Sequence, residues 1–384
     1  MQDVFIIGSR GLPAQYGGFE TFVEELIRHQ QNKAIRYHVA CLSDSSHHHH
    51  FDYKGADCFT INPPKLGPAR VIAYDIMAIS YAISLIKKNH LKNPIVYILG
   101  NTVGAFIAPL AKRIKAVGGR LFVNPDGLEW KRSKWIKPIQ IYLKYSEKVM
   151  TKHADLMISD NMGIDDYLKQ SYPWVKTRFI AYGTDMTPSP LTSQSEKVRS
   201  FFDQWASKEK EYFLIVGRFV PENNYALAIE AFMASKTQKD LMVICNHQGN
   251  AYFEQLKSLT GFENDNRIKF VGTVYDKALL TYIREQAFAY IHGHEVGGTN
   301  PGLLEALAHT ELNLVLDVNF NRKVAENTAL YWSKEIASLT ALIDTEVDDD
   351  KRQRLSEEAK AHMSEDYTWE KIVGEYEDLF LNES

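Results

Sequence analysis

The sequence predicts an α/β protein of two doubly wound domains, each a parallel sheet with helices on both faces, facing each other across a cleft. Apolar runs typical of buried strands alternate with amphipathic helical stretches through both halves of the chain. At 384 residues the chain is also too long for one typical core. Between the halves, residues 184–200 are rich in Pro, Ser and Thr and lack periodicity, which indicates a connection between domains.

The elements follow the same alternation from one end to the other. We predict strands near 3–8, 35–41, 57–61, 94–99, 120–124, 155–159, 178–181, 212–217, 241–246, 267–271, 287–292, 312–316 and 328–332. We predict helices near 18–30, 69–88, 103–116, 136–152, 161–171, 223–235, 250–260, 276–285, 301–308, 335–343, 350–364 and 368–381. The resulting division is a first domain over 1–185, a linker over 186–210, a second domain over 211–365 and a C-terminal helix over 366–384 that returns to the first domain.

Composition is that of a soluble globular protein, with 45% hydrophobic and 24% charged residues. Three cysteines without a Cys-x-x-Cys pair argue for a reducing compartment. The chain starts directly as a strand without a basic segment, so we expect no signal peptide. The longest uncharged run, 93–111, contains Pro and Gly and is typical of a strand, a turn and a helix, so we expect no membrane span.

Charge divides unevenly between the halves. Residues 1–180 hold 24 Lys and Arg against 15 Asp and Glu, a balance of +9, while residues 181–384 hold 20 against 33, a balance of −13. The basic first half suggests an anionic partner, and both nucleic acid and an anionic membrane surface qualify. An incidental surface bias is the alternative.

The stretch 297–307 predicts an anion site. It follows an apolar strand, Gly297 and Gly298 let the backbone approach a ligand, and Asn300 can cap a helix that starts at Pro301. A strand, loop and helix start of this kind directs backbone N–H groups and the positive end of a helix dipole at one point, which suits a phosphate. The alternative is a capped core helix.

A second glycine-rich opening, 8–20, follows the first strand and favours the anion interpretation. It lacks the Gly-x-Gly-x-x-Gly spacing and the later acidic residue of a dinucleotide site, which argues against a nicotinamide dehydrogenase. Its glycines, among them Gly17 and Gly18, fit a mobile loop under a sugar phosphate.

The segment 124–135 follows a strand, so it is predicted at a sheet's carboxyl edge facing the cleft. It carries the carboxylates Asp126 and Glu129, the cation Lys131 and two tryptophans. Carboxylates on aromatic-lined loops suit sugar hydroxyls and can accept protons, while basic residues beside tryptophan also suit a membrane interface. For Trp130, burial in the core is the alternative.

Two more strand ends and one helix start belong to the predicted site. Asp160 closes a strand, where it either acts chemically or caps the next helix, and Tyr182 ends the strand before the linker. In the second half Arg218 leaves a buried strand, a setting in which it can hold a pyrophosphate by paired N–H bonds. Glu222 is either part of that site or a helix N-terminal charge.

Metal-dependent chemistry is not predicted. The four histidines at 47–50 are adjacent and lack carboxylate or cysteine partners at ligand spacing, and no Asp-x-Asp motif suited to a divalent cation on a diphosphate appears. The run 348–350 is interpreted as a solvated helix start. We therefore expect no metal ion and no cofactor.

Together these motifs resemble the retaining GT-B glycosyltransferases of family four, with two Rossmann-like domains, over nearly the whole chain. The motifs Gly-Leu-Pro-x-x-Tyr-Gly-Gly-Phe-Glu-Thr, Asp-Gly-Leu-Glu-Trp-Lys-Arg-Ser-Lys-Trp and Gly-Gly-Thr-Asn-Pro-Gly-Leu-Leu-Glu are most similar to bacterial rhamnosyltransferases. The narrowest resemblance is to the streptococcal group that initiates the rhamnose polysaccharide backbone. That group adds L-rhamnose from dTDP-L-rhamnose to GlcNAc-diphosphate-polyprenol.

The resemblance implies roles for named residues. Catalytic or substrate-orienting roles are implied for Asp126, Asp160, Lys131, Tyr182 and Glu129. Donor contacts are implied for Gly17, Gly18, Arg218, Glu222, Asn223, Val271, Gly272, Glu295, Gly297, Gly298, Thr299, Asn300 and Glu305, with Glu305 on the ribose and the backbone at 270–274 on the base.

Three departures from the family pattern concern the site. Position 223 is Asn where relatives have Lys, the first of the family's paired glutamates falls at Gly297 with Glu295 out of register, and Asp126 stands where many relatives have His. These changes leave open which groups stabilise the leaving diphosphate.

The resemblance also implies the partners and the location. The expected acceptor is a lipid-diphosphate sugar that enters from the basic first domain, so the protein is expected to be cytoplasmic and peripheral on the inner face of the cell membrane, without nucleic acid. Alternatives are a glucose acceptor, a UDP-sugar donor, a sugar-nucleotide epimerase, or a sugar-nucleotide-binding partner without catalysis. Oligomeric state stays open.

Overall fold

The computed structural model describes residues 1–14, 17–45, 49–132 and 134–382. Tyr16, His47, His48 and Ser133, which belong to motifs discussed above, lie outside the described residues. The chain forms two compact units: unit 1 is Met1–Gly183 together with Trp369–Ser384, and unit 2 is Thr184–Thr368.

The strands and helices alternate along the described chain. The strands are β1 (Gln2–Ile7), β2 (Ile35–Leu42), β3 (His50–Tyr53), β4 (Ala56–Ile61), β5 (Ile95–Leu99), β6 (Arg120–Asn124), β7 (Leu156–Ser159), β8 (Thr177–Phe179), β9 (Tyr212–Val216), β10 (Asp240–Ile244), β11 (Ile268–Gly272), β12 (Ala289–His292), β13 (Asn313–Leu316) and β14 (Leu330–Trp332). The helices are α1 (Gly18–Arg28), α2 (Arg70–Lys88), α3 (Ile107–Ala116), α4 (Lys137–His153), α5 (Met162–Ser171), α6 (Glu196–Trp205), α7 (Tyr225–Ala234), α8 (Ala251–Thr260), α9 (Lys277–Glu285), α10 (Pro301–His309), α11 (Asn319–Ala325), α12 (Ile336–Asp344), α13 (Asp349–Asp366) and α14 (Trp369–Asn382).

Unit 1 contains an eight-stranded sheet in the order β3-β4-β2-β1-β5-β6-β7-β8. The neighbouring strands pair in parallel except for β3, which runs antiparallel to β4. Its central strands β1 and β5 are buried throughout, as expected where helices cover both faces. The strand order reverses direction on either side of β1, so the carboxyl ends of β1 and β5 form the switch point where ligands of such sheets bind.

Helix α14 completes unit 1 from the far end of the chain. Its Tyr376 and Phe380 are buried against Tyr97, and the carboxylate of Glu377 accepts the backbone N–H groups of Gln31 and Asn32 at 2.9 Å.

Helix α2 is the apolar helix of unit 1. With the turn before it, over Gly67–Lys88, it is long and apolar enough to span a bilayer by length and composition only. It packs on β1 and β4 and buries Tyr74 and Asp75, as a core helix does.

Unit 2 contains a six-stranded, wholly parallel sheet in the order β11-β10-β9-β12-β13-β14. Buried aromatic and aliphatic side chains fill both faces, including Phe213, Phe232 and Trp332 on one and Tyr212 and Tyr290 on the other. The predicted α/β class with two parallel-sheet domains is confirmed.

Three elements differ from the sequence prediction. Residues 186–210 are not a linker, because they contain α6, whose Val198, Phe201 and Phe202 pack into the core of unit 2. The short β3 and α11 were not predicted, and both are polar segments with few apolar positions.

Candidate functional site

The carboxyl edge of the unit 1 sheet holds a partly open cavity of about 160 Å³. Its walls come from the segments after β1, β5 and β6, with contributions from Phe19 and Val71 at the starts of α1 and α2 and from Glu147 of α4. Asn101, Thr102 and Asp126 bring polar groups to this wall. A small cavity that presents a few polar groups among apolar side chains is suited to a few hydroxyl groups of a sugar.

Asp126 is held in place by its backbone. Its φ is +52°, in the left-handed region that costs a non-glycine residue free energy, and the next residue, Gly127, has φ +58°. The side chain of Asn124 accepts the Asp126 N–H at 2.9 Å and fixes this turn. The carboxylate of Asp126 therefore sits on a strained turn at the cavity wall, as the segment's position after a strand predicted.

Asp160 and Tyr182 lie at the same edge, after β7 and β8, and both are buried. Burial raises the pKa of the Tyr182 hydroxyl well above its usual value, and the nearby carboxylates of Asp160 and Asp126 raise it further. The phenol thus stays protonated and can donate a hydrogen bond. Asp160 is not the cap of α5; Asn161 is, since its side chain accepts the Gly163 N–H at 2.8 Å.

The glycine-rich opening is braced by α1. Glu20 is buried and accepts the Arg10 N–H at 2.7 Å. Gly17 has φ +136°, and a Cβ there would lie 1.9 Å from Glu20 Oε2, so this position requires glycine. Gly18, in contrast, has open space around it, with no heavy atom of the described chain within 4 Å of a Cβ.

Glu129 and Lys131 are placed differently from Asp126. The Glu129 carboxylate contacts Arg132 Nε and Lys134 Nζ, both at 2.6 Å, and accepts the indole N–H of Trp135 at 2.9 Å. These three donors hold the loop together, although Glu129 also reaches the cavity wall. The Lys131 ammonium is exposed and lies 5.4 Å from the Trp130 ring centre.

Trp130 itself is half-buried. It forms part of the cavity wall and carries the ammonium of Lys144 at 4.3 Å from its ring centre. The ring is therefore neither fully in the core nor fully exposed.

Polar residues that the sequence analysis missed lie in or next to the segments that line the cavity. Asp75 of α2 accepts a hydrogen bond from Thr102 at 3.3 Å, and its other oxygen has no partner among the described residues. Ser9 Oγ and Asn101 Oδ1 are also buried and unpartnered within the described chain. Buried polar atoms without partners are rare, and three at one sheet edge indicate groups that a polar ligand can satisfy.

Burial also changes the protonation of Asp75. It raises the pKa of this carboxyl to about 7, against a smaller lowering by the Thr102 hydrogen bond. Its sequence context, an apolar helix, gave no signal of a polar site.

In unit 2 the loop after β9 and the loop after β12 are joined at neighbouring strand ends. Asn223 Oδ1 lies 2.8 Å from His294 Nδ1, Asn224 Nδ2 donates to the Gly293 carbonyl at 2.8 Å, and the Glu295 N–H donates to the Glu222 carbonyl at 3.2 Å. The loop that carries Arg218 and the glycine loop at 297–299 are therefore connected by direct hydrogen bonds between their neighbouring residues.

Asn223, the departure from the family's lysine, has a positioning role in this structure. Its Nδ2 donates to the Arg218 carbonyl at 2.7 Å while its Oδ1 contacts His294. Arg218 is exposed, and no carboxylate of the described residues pairs with it. The guanidinium is thus accessible to an external anion.

Glu295 and Glu222 lie on these joined loops. Glu295 forms an ion pair with Lys334 and lies 3.5 Å from Asn224 Nδ2. Glu222 lies in the short turn Pro221–Asn223, where its carbonyl accepts the Glu295 N–H.

The helix α10 begins as the sequence predicted. Asn300 caps it by accepting the Gly302 N–H at 2.9 Å, and Pro301 is its first residue. The cap therefore satisfies the N–H of Gly302 in the first turn. Gly297 has φ +155°, and a Cβ there would lie 2.7 Å from His294 Nε2.

Glu305, predicted on the ribose, forms an ion pair through Oε2 with the buried Arg284 of α9. This pairing fixes the carboxylate in the middle of α10 while its side chain remains 42% exposed. A ribose hydroxyl would share the carboxylate with Arg284.

The remaining predicted donor residues, Val271 and Gly272, end the edge strand β11 and are half-buried. Gly272 has φ +88° and open space where a Cβ would stand. His292 at the end of β12 is fully buried, and this burial lowers the pKa of its imidazole to about 3. It therefore contributes no positive charge to the phosphate loop.

Comparison with known families separates the two units. Residues 1–185 match a family described as a domain of unknown function, DUF1972. Residues 197–362 match the family described as Glycosyl transferases group 1. Unit 2 contains a glycosyl transferase group 1 domain.

Relatives agree with this domain assignment. An uncharacterized glycosyltransferase of Methanocaldococcus jannaschii is 23% identical over 253 residues, which span 62% of this chain and 61% of that protein. The match therefore covers less than two thirds of that relative's length.

Solved structures resemble the whole chain at low identity. Sucrose-phosphate synthase from Thermosynechococcus elongatus is 16% identical with a TM-score of 0.76, covering 100% of this chain and 99% of that chain. A glycosyltransferase from Rickettsia africae is 14% identical with a TM-score of 0.75, covering 99% and 98%. HepE from Anabaena, in complex with UDP, is 13% identical with a TM-score of 0.72, covering 100% of both chains. The chain around the glycosyl transferase group 1 domain has the GT-B fold.

Proposed function

We propose that this protein is a retaining glycosyltransferase that moves L-rhamnose from dTDP-L-rhamnose to GlcNAc-diphosphate-polyprenol, forming a β-1,4 linkage in cell-wall or capsular polysaccharide synthesis. The glycosyl transferase group 1 domain and the glycosyltransferase relative support the reaction class. The rhamnose donor and the lipid-diphosphate acceptor rest on the motif resemblance described above.

The observation that carries the reaction class is the joined pair of loops in unit 2. An exposed arginine without a carboxylate partner in the described chain stands beside a glycine loop at a helix start, the arrangement expected for a diphosphate. As the sugar leaves the donor, negative charge grows on the diphosphate, and Arg218 with the 297–299 backbone stabilises it. No metal ion is required in this scheme.

The acceptor is proposed to bind unit 1. The cavity at the carboxyl edge offers the carboxylate of Asp126 on its wall and buried polar atoms without partners nearby in the described chain, which suit sugar hydroxyls. In a retaining reaction without a covalent nucleophile, the departing phosphate oxygen accepts the acceptor's proton. Asp126 and Asp160 then orient the acceptor hydroxyl.

A donor and acceptor panel tests the proposal. Purified protein is offered dTDP-L-rhamnose and UDP-sugars with short-chain lipid-diphosphate GlcNAc or glucose, with and without EDTA. We expect transfer from dTDP-L-rhamnose to GlcNAc that EDTA does not abolish. The UDP in the HepE structure makes UDP-sugars the competing donors, and preferred transfer from one of them would replace the rhamnose assignment.

Two variants test the assigned roles. Arg218→Ala removes the proposed charged contact to the diphosphate. We expect it to lower kcat/KM by roughly 10- to 100-fold. Asp160→Asn is expected to lower kcat with the donor still bound. Arg199→Ala removes the same charge from an exposed site of α6 and serves as the control. Donor binding without turnover under every condition would instead indicate a non-catalytic sugar-nucleotide-binding partner.

A further inference from the structure

The outward face of α4 in unit 1 combines lysines with exposed apolar side chains. Four lysines lie along this helix, at 137, 144, 148 and 152. Its one carboxylate, Glu147, is 2% exposed. Inside unit 1 it accepts hydrogen bonds from Tyr167 at 2.5 Å and Tyr172 at 2.6 Å. The exposed face of α4 therefore carries positive charge only.

Large apolar residues share that face. Ile136, just before α4, is 67% exposed, Ile141 is 70% exposed and Tyr145 is 57% exposed, and Trp174 beside them is 49% exposed. Spacings of three and four residues place Lys137, Ile141, Tyr145 and Lys148 on one side of the helix. Such side chains are ordinarily withdrawn from water, so a cluster of them indicates a contact surface.

A groove runs beside this face. It has a volume of about 820 Å³ and is lined by Trp130, Ile141, Tyr145, Trp174 and lysines of α4, with no carboxylate among its described lining residues. Lys144 is half-buried in it, where its ammonium lies 3.1 Å from Glu147. The outward cations are consequently Lys137, Lys148 and Lys152.

The spacing of these cations distinguishes a surface from a single bound phosphate. Lys137 and Lys152 are fifteen residues apart, or about 22 Å along a helix. That length greatly exceeds one diphosphate, and it matches a row of separate headgroups. The isoleucines favour lipid over nucleic acid, because they have no ring on which a base can stack, whereas they fit the boundary between headgroups and acyl chains.

We propose that the α4 face, defined by Ile136, Lys137, Ile141, Tyr145, Lys148, Lys152 and Trp174, docks on an anionic phospholipid bilayer. The apolar side chains enter the interface and the lysines contact lipid phosphates. The proposal adds to the proposed function the surface through which a lipid-linked acceptor is reached, and it rests on that function only for its biological purpose.

Vesicle binding without any substrate tests the docking surface. We expect the full chain to float with vesicles of mixed phosphatidylcholine and phosphatidylglycerol and to bind pure phosphatidylcholine much more weakly. A Lys137→Ala/Lys148→Ala variant should bind the anionic vesicles about 30-fold more weakly, since each lysine near such a surface contributes about a fivefold factor. An Ile141→Ser/Tyr145→Ser variant should lose at least about tenfold by removing apolar contact.

The matched control is Lys87→Ala/Lys88→Ala, which removes the same charge from exposed positions at the end of α2. It should bind vesicles like the unaltered protein. Unchanged melting temperatures exclude misfolding, which is expected to be absent because all substituted side chains are exposed. Equal weakening by the control, or equal binding by the Lys137→Ala/Lys148→Ala variant, overturns the proposal.

Other occupants of the face give different results. If the variants convert a dimer to a monomer in sedimentation while vesicle binding persists, a second copy covers the face and the proposal is wrong. If they lose affinity for single-stranded RNA but not for vesicles, it is also wrong.

Activity on a short-chain acceptor in vesicle-free buffer separates this proposal from the function. The α4 variants should keep full transfer there. Vesicle binding through α4 with no transfer by any variant would refute the function and leave the surface standing.

Discussion

Asp75→Asn tests whether the buried carboxyl beside the unit 1 cavity titrates near neutral pH. The residue is 2% exposed, and its one hydrogen bond in the described chain comes from Thr102 at 3.3 Å. Asparagine has the same shape, can accept the same hydrogen bond and cannot ionise. The substitution therefore removes the charge while it keeps the packing.

The expected magnitude follows from the pKa. Burial raises the pKa of Asp75 from 3.8 to about 7. Because the folded pKa lies above the unfolded one, the unfolded chain releases this proton first as the pH rises. The free energy of unfolding therefore falls between pH 3.8 and about 7 and is level above that. At about 1.4 kcal/mol per pKa unit this interval corresponds to about 4 kcal/mol.

The assay is urea unfolding of the unaltered protein and of Asp75→Asn at several pH values from 4 to about 8. All other titrating groups are shared, so the difference between the two curves reports Asp75. We expect the variant to gain stability relative to the unaltered protein as the pH rises, by about 4 kcal/mol in total. Asp378→Asn, at an exposed position of α14, controls for the loss of one carboxylate. Parallel curves for Asp75→Asn and the unaltered protein would refute the reasoning.

Three further predictions concern other positions. Gly17→Ala should lower the melting temperature and the activity, because its Cβ would displace the Glu20 carboxylate. Gly18→Ala is the control and should melt like the unaltered protein. Equal melting temperatures of the two variants would contradict the close contact at Gly17. Burial lowers the pKa of His38, but the carboxylates of Asp3 and Asp57 at 2.9 and 3.0 Å outweigh it and raise that pKa overall. The stabilising contribution of the protonated His38 is thus fully present below pH 6.5 and is lost as the pH rises through the folded pKa. The free energy of unfolding that His38→Gln loses should therefore be smaller at alkaline pH. A loss that is independent of pH would argue against a charged imidazole at this position. Asn223→Ala removes the contact between the loop after β9 and the loop after β12, and it should raise the KM for the donor by roughly 5- to 10-fold, as expected for one hydrogen bond. Stability should be nearly unchanged. An unaltered KM in initial-rate kinetics would show that Asn223 does not position the donor site.

Much of the architecture was predictable because both sheets are parallel and buried on both faces. Such strands read as continuous apolar runs, and the run of β5 or of β9 is visible without any partner. Helix α6 was missed because the polar stretch before it resembles a linker, although Phe201 and Phe202 signal a buried face.

The candidate site was predictable only where local motifs mark it. Asn300 is a residue type that commonly caps helices, and Asp126 follows an apolar strand, so both positions can be recognised from neighbouring residues. Asp75 could not be recognised as a site residue from the sequence, because it occupies one position of an apolar helix. Its hydrogen-bond partner, Thr102, is distant in sequence. The ion pair between Arg284 and Glu305 could not be predicted either, because the two residues lie on different helices.

Helix α14 makes unit 1 discontinuous along the chain, and this ordering has a consequence for synthesis. The ribosome completes all of unit 2 before it releases the segment that covers Tyr37 and Tyr97. Until then the nascent first unit presents aromatic surface to solvent, which is the kind of surface that chaperones hold. A fragment ending at residue 183 would keep that surface permanently bare, so its expression is expected to depend on supplying the α14 peptide in trans.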